Sequence, residues 1–131
     1  MPSYTSPMGV LEALRDTLAA VAGVQTCRIG LEANLAPDDY PIVRIVPSSS
    51  TPSENLSGLR MHECLIYFGL PITEGDGGLE ALYGQIFALE AALLSALPTS
   101  GSWLARWVET VTDEDRVAAY KLMALRVEVV G

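Results

Sequence analysis

The segment GLEALYGQIFALEAALLSAL, residues 78–97, predicts a helix that is apolar around most of its circumference. At 3.6 residues per turn, a set of large apolar side chains falls in one arc. These are Leu79, Leu82, Ile86, Leu89, Leu93 and Leu97. A second arc beside it carries Tyr83, Phe87 and Leu94. A helix that is apolar nearly all round is normally buried nearly all round, so something is expected to cover it.

Two kinds of partner can cover the second arc. Tyr83, Phe87 and Leu94 can pack on another helix of the same chain, or they can contact another subunit. Glu90 lies at the margin of the main arc, where its carboxylate has to reach water or pair with an arginine of a neighbouring subunit, because an unpaired buried charge is costly. We predict a subunit interface on this side of the helix, formed by Tyr83, Phe87, Glu90 and Leu94.

The composition also favours association. Of the 131 residues, 50% are hydrophobic and 18% are charged, and the mean hydropathy is +0.30. A chain of this length is expected to form a single domain, residues 1–131, with a core of limited size. Such an apolar excess in a short chain favours oligomerisation. Glu80, Gln85 and Glu90 argue against a membrane span in the apolar helix.

The charge balance argues against nucleic acid as a partner. The formal net charge is −8, and the eight Lys and Arg residues are dispersed along the chain. Without a basic stripe that neutralises phosphates, nucleic acid is expected to be repelled. The first residues, MPSYTSP, have neither the basic nor the apolar region of a secretory signal. Cys27 and Cys64 are therefore expected to be buried free thiols of a protein made in the cytosol.

The rest of the chain predicts a second helix and a set of strands. Ser6 and Pro7 mark the start of the first helix, which Gly23 ends, and Asp76 is a candidate N-cap of the apolar helix. Strands are predicted at residues 24–31, 41–46, 59–72, 104–112 and 117–130. The order helix, three strands, helix, two strands predicts an α+β fold. Its two helices cover one face of a two-layer, largely antiparallel sheet of about five strands.

The long strands carry apolar residues on both of their faces. Leu65 and Tyr67 in the third strand, and Tyr120 and Leu122 in the fifth, are expected on the sheet face that points away from the helices. An apolar patch on that face needs a cover. We therefore predict a second part of the subunit interface at these four residues.

A polar segment, SSSTPSENLSG at residues 48–58, is expected to form a loop between the second and third strands. It is longer than the about 2–5 residues that most hairpin loops use. A long polar loop in a compact domain is either disordered or functional. If it is functional, Ser50, Pro52, Asn55 and Leu56 become ordered when the loop docks on another protein, with Leu56 as the apolar anchor.

Few residues are candidates for chemistry. His62 and Cys64 share a strand face, but two ligands do not complete a zinc site, and alternate strand positions do not bring a thiol onto an imidazole. The glycines before the apolar helix lack the Lys and Ser/Thr of a phosphate-binding loop. We therefore expect no catalytic, cofactor-binding or metal-binding residues, no cofactor, and no enzymatic activity.

Several segments between residues 8 and 131 together form a pattern. They are Leu11-Glu12-Ala13-Leu14 with Leu18, the PIVRI strand at 41–45, the Ser/Pro-rich connection, the long strand at 59–72, the apolar helix ending at Leu97, and the closing strand AYKLMALRVEV at 119–129. In element order, element length and acidity, this pattern resembles the tail terminator (tail completion) proteins of long-tailed bacteriophages.

The resemblance implies a structural virion protein. Such a protein forms a ring, commonly hexameric, that caps the tail tube, ends its polymerisation and provides the joint to the head-completion proteins. The implied partners are further copies of the chain, the tail tube protein and a head-completion or neck protein, without specific nucleic-acid binding and without a membrane. The implied location is the tail or neck of the virion, after assembly in the cytoplasm of the host cell.

Two alternatives remain open at this point. One is another neck or head–tail joining protein of the phage connector. The other belongs to a different class: a small-ligand-binding or enzymatic α+β homodimer. In that case His62 and Glu63 are expected at the rim of a cleft between the helices and the sheet.

Overall fold

The computed structural model describes residues 7–32, 36–52, 60–71, 78–112 and 120–131. Its helices and strands follow one another as α1 (Pro7–Ala19), β1 (Thr26–Ile29), β2 (Ile42–Pro52), β3 (Arg60–Pro71), α2 (Gly78–Ala96), β4 (Leu104–Thr112) and β5 (Tyr120–Val130). This order confirms the predicted α+β fold. The cap residues predicted from the sequence, Ser6 and Asp76, lie outside the described residues.

The five strands form one sheet in the order β1-β2-β3-β5-β4. β1 runs parallel to β2, whereas all other neighbouring strands are antiparallel. The last strand of the sequence is thus inserted between β3 and β4. As a result β4, which precedes it in the chain, lies at one edge of the sheet, and β1 lies at the other.

One face of the sheet, here called the helix face, is buried under both helices. Val43, Phe68 and Met123 lie side by side across β2, β3 and β5, and each is at most 1% exposed. They share one apolar core with Leu14 of α1 and Leu93 of α2. Because successive strand residues point to opposite sides, the residues between them lie on the other face, here called the outer face.

The helices meet the core through the arcs that the sequence predicts. The residues of the main arc whose side chains are described are at most 8% exposed: Leu82, Ile86, Leu89, Leu93 and, just after α2, Leu97. α1 ends at Ala19, earlier than predicted, and the chain then turns through Gly23, which has a φ of 94°. A positive φ is readily available to glycine, which explains why this residue marks the turn.

β2 is longer than predicted, and the predicted loop at residues 48–58 is wrong in its first part. The strand continues to Pro52, which pairs with Arg60, after a bulge that follows Pro47. The Ser48 hydroxyl donates a hydrogen bond to the Glu63 carbonyl over 2.9 Å. Side chains at 47–52 remain exposed, so main-chain pairing stabilises a strand whose polar composition predicts a loop.

The connection between β1 and β2 lies against the outer face. Arg44 is on this face and is fully buried. Its Nε donates to Oε1 of Glu32 over 2.8 Å and its Nη2 donates to Oε2 of the same side chain over 3.2 Å. Its Nη1 donates to the carbonyls of Thr26 and Val43, at 3.1 and 2.9 Å. A bidentate pair of this kind holds the connection over the β1 end of the sheet.

Candidate interaction surfaces

The second apolar arc of α2 is only partly covered by the chain. Leu94 is half-buried and packs against the core. Tyr83 and Phe87 remain 42% and 46% exposed, and their rings stack on each other with centroids 6.0 Å apart. Glu90, beside them, is half-buried. Packing on α1 therefore does not cover the two aromatic residues, and the arc presents an apolar surface.

The two flanks of α2 face different parts of the molecule. Gln85 and Ala92 line an apolar groove of about 340 Å³ together with Gly23, which follows α1. α1 packs over β1 and β2 at one side of the sheet. Tyr83 and Phe87 lie on the opposite flank of α2. That flank therefore faces the side of the sheet where β4 lies.

Three of the four residues predicted to form an apolar patch on the outer face have described side chains. Leu65, Tyr67 and Leu122 lie on this face, because they alternate with core residues in β3 and β5, and all three are half-buried. Tyr120 is the first residue of β5, and its backbone pairs with that of Pro71. Its side chain is outside the described part. The role of these residues in a subunit interface stays a prediction.

Charged residues occupy the outer face next to this patch. Nη1 of Arg126 lies 2.9 Å from a carboxylate oxygen of Glu109, and its Nε lies 3.7 Å from Glu63. Arg106 contacts Glu128 at 2.7 Å. This network cannot be predicted from the sequence, because its partners come from three strands whose order in the sheet cannot be deduced from local patterns.

The edge strand β4 carries exposed apolar residues on both faces. Trp107 is opposite Val127 on the helix face, and Val111 is opposite Ala124 on the outer face. Trp107, Val108 and Val111 are 50%, 44% and 43% exposed. Nε1 of Trp107 donates to the Thr110 hydroxyl over 3.1 Å, so its ring is held along the strand. The apolar composition of β4 is visible in the sequence, but its edge position is not.

The residues predicted to dock on another protein are only partly described. Ser50 and Pro52 are exposed on the distal half of β2. Together with Arg60 they border a shallow cavity of about 310 Å³. Asn55 and Leu56 lie outside the described residues.

Two candidates for chemistry, His62 and Cys64, are buried, whereas Cys27, also predicted to be buried, is half-buried. His62 is 2% exposed, and among the described residues its Nε2 has no hydrogen-bond partner. Burial, and secondarily the charge of Arg60, lower the pKa of His62. Burial raises the pKa of both Cys27 and Cys64 to about 11, so at neutral pH both thiols are protonated and unreactive. Within the described ranges, no group of three or more metal-binding side chains is present.

The cleft of the ligand-binding alternative does not form as predicted. His62 lies on the helix face, because it is opposite Val129 of the core, whereas Glu63 points to the outer face and contacts Arg126. The two side chains are therefore on opposite sides of the sheet and do not share a rim. Of the helices in the described part, none is long and apolar enough to cross a membrane.

Comparisons with known proteins show similarity in fold only. No family model and no curated protein matches the sequence. The fold is similar to that of a chain in a solved structure described as the virion of a native gene transfer agent (GTA) particle, with a TM-score of 0.54 and 12% sequence identity. The match covers 94% of this chain and 95% of that chain. This chain therefore shares its fold, over nearly its whole length, with a chain of that virion.

Proposed function

We propose that this chain is a structural virion protein that forms a ring on the end of a phage-like tail tube. The ring ends polymerisation of the tube and provides the joint to the head-completion proteins. The observation that carries the proposal is the fold similarity to a chain of a gene transfer agent virion over nearly the whole length of both chains. The resemblance of element order to the tail terminator proteins supports the same role.

The exposed apolar residues support assembly into a ring. A ring joins two different surfaces of each subunit, whereas a two-fold dimer joins one surface to itself. The Tyr83–Phe87 pair on α2 and the patch around Tyr67 on the outer face point in different directions, because they lie on opposite sides of the sheet. One of them can therefore contact the next subunit of a ring while the other contacts the preceding subunit.

The negative charge supports a ring that does not retain DNA. Each chain has a net charge of −8, so a ring of several copies repels phosphate groups near its central hole. We expect no measurable binding to duplex DNA at ordinary salt. Saturable binding under those conditions would contradict this part of the proposal.

The distal half of β2 and the segment after it are proposed to dock on the tail tube or on a neck protein. Ser50 and Pro52 are exposed there, and Asn55 and Leu56 follow in sequence. In the variant Leu56→Ser we expect unchanged assembly and thermal stability but loss of tube capping. The matched control is Leu31→Ser, at a position 46% exposed on the other side of β2. Loss of the ring in Leu56→Ser would instead assign the segment to the subunit interface.

Two measurements test the proposed function directly. Electron microscopy of the purified protein is expected to show flat particles with a central hole. Added to the polymerising tube protein of the same virion, these particles are expected to stop tube growth at the end they occupy. Rings that leave tube growth unchanged would favour another neck or head–tail joining protein, and a two-subunit particle that binds a small ligand would overturn the proposal.

A further inference from the structure

The two edges of the sheet differ in how they oppose pairing with another chain. Beyond Ile29, where β1 ends, the distal part of β2 is an edge with no neighbour on that side among the described residues. Pro47 and Pro52, a bulge and exposed serines occupy it. Prolines and bulges are features with which proteins prevent edge-to-edge pairing. This edge is therefore protected.

The β4 edge has less protection. It contains nine residues without a proline or a lysine. Its protective features are the bulge between Trp107 and Glu109 and two charged side chains, Arg106 and Glu109, which are paired with residues of β5. In the described part of the chain, β5 is its neighbour on one side and no strand lies on the other. The Ala105 N–H already donates to the Pro98 carbonyl over 2.9 Å, so the open part of this edge begins after Ala105. There, a row of main-chain N–H and C=O groups, flanked by exposed apolar side chains on both faces, is the surface to which an extended strand adds.

The charges along β4 are balanced within the chain. Arg106 pairs with Glu128, and Glu109 pairs with Arg126. Two copies that each carry a net charge of −8 repel each other overall, so they can only come together where the local charge is balanced. The β4 edge meets this condition, which makes a second copy of the chain an acceptable partner there.

We propose that the β4 edge receives a strand from a second copy of this chain. Main-chain hydrogen bonds then join that strand to residues 106–112, and the second copy covers Trp107, Val108 and Val111. Tyr83 and Phe87, on the flank of α2 that faces β4, extend the same contact. The proposal rests on the proposed ring and deepens it by naming the strand through which the copies are joined.

Hydrogen exchange of the wild-type chain tests the proposal without a mutation. We expect those main-chain amides of residues 106–112 that point away from β5 to exchange at least about tenfold more slowly in the assembled protein than after dilution to the monomer, because new hydrogen bonds protect them. The amides of the distal half of β2, on the protected edge, are expected to keep their rate. An assembled protein whose β4 amides exchange at the monomer rate would overturn the proposal and leave the ring intact.

A variant with added charge tests the same edge through the mass of the assembly. Val108→Lys combined with Val111→Lys places two cations on the edge, and we expect it to be monomeric at concentrations where the wild type is assembled. Met8→Lys combined with Leu31→Lys is the matched control, because it adds the same charge at positions 49% and 46% exposed, and it is expected to assemble. Analytical ultracentrifugation measures the mass of both variants.

The outcomes separate the proposed contact from the proposed ring. An assembled double variant with wild-type mass would overturn the β4 contact only. A wild-type pair of chains with protected β4 amides would support the contact and overturn the ring. A wild type that is monomeric at every concentration would overturn both.

Discussion

Arg44 and Arg126 lie on the same outer face, two strands apart, and both bind glutamate, yet they differ in burial and in geometry. Arg44 is fully buried and uses its whole guanidinium group on Glu32 and two main-chain carbonyls. The Arg126 side chain is 40% exposed, and its Nε has no hydrogen-bond partner in the part of the chain that the structure describes. The outer face thus has a closed end under the β1–β2 connection and an open end towards β4.

The same pair of residue types thus serves two purposes on one sheet. At the closed end, removing Glu32 leaves the fully buried charge of Arg44 without its counter-charge, and removing Arg44 empties a fully buried position, so the pair is needed for stability. At the open end the ion pairs are accessible to water and individually weak. Weak, solvated pairs leave the open end able to rearrange against a partner. Four changes test this difference.

The largest effect is expected for Arg44→Ala at the closed end. It empties a fully buried position and removes the donor of two main-chain carbonyls, and we expect a loss of about 2–5 kcal/mol in the free energy of unfolding. The control is Arg28→Ala, because Arg28 is exposed and lies 3.9 Å from the same Glu32. It is expected to cost less than about 1 kcal/mol. Urea unfolding measures both, and equal losses would show that the closed end is not held by Arg44.

The second change is in β3, between the closed and the open end of the outer face. Tyr67→Glu places a carboxylate in the predicted subunit interface, and we expect the dissociation constant of the assembly to rise at least about 100-fold, since such a site excludes water. The monomer is expected to stay folded because Tyr67 is only half-buried. Met8→Glu is the control at an exposed position of α1. Ultracentrifugation of intact assemblies in Tyr67→Glu would remove this residue from the interface.

The third change concerns His62 on the helix face and the pH dependence of the free energy of unfolding. Burial lowers the pKa of His62 below its ordinary 6.5, so below pH 6.5 the unfolded chain binds a proton that the folded chain does not. The stability is therefore complete above pH 6.5 and falls as the pH decreases, by at most about 1.4 kcal/mol per pH unit from this group. In His62→Leu this contribution is expected to vanish. Identical pH profiles of the two proteins in urea unfolding would contradict the assignment.

The smallest effect is expected at the open end. Arg106→Ala removes an exposed ion pair with Glu128, and we expect a loss below about 1 kcal/mol that disappears at high salt. The same unfolding measurement applies, with and without added salt. A loss as large as that of Arg44→Ala would show that the open end is held as firmly as the closed end.

Local periodicity in the sequence predicts much of the fold but little of the interaction surfaces. The main arc of α2 predicted that Ile86 and Leu93 are buried, and both are fully buried, because burial of one helix face imposes a period on the sequence. Ser50 and Pro52 were assigned to a loop, although they lie in β2. The polar composition of this segment predicts a loop, but main-chain hydrogen bonds with β3 hold it in a strand.

The sequence by itself determined the types and order of the elements, the apolar excess of α2 and the negative charge, since each is a property of neighbouring residues. The tertiary structure alone decided the insertion of β5 between β3 and β4, the parallel pairing of β1, and the burial of Arg44. The physical reason is that strand order depends on hydrogen bonds between main chains far apart in sequence, and those groups are alike in every residue except proline. The exposed edge of β4 is a direct result of that order.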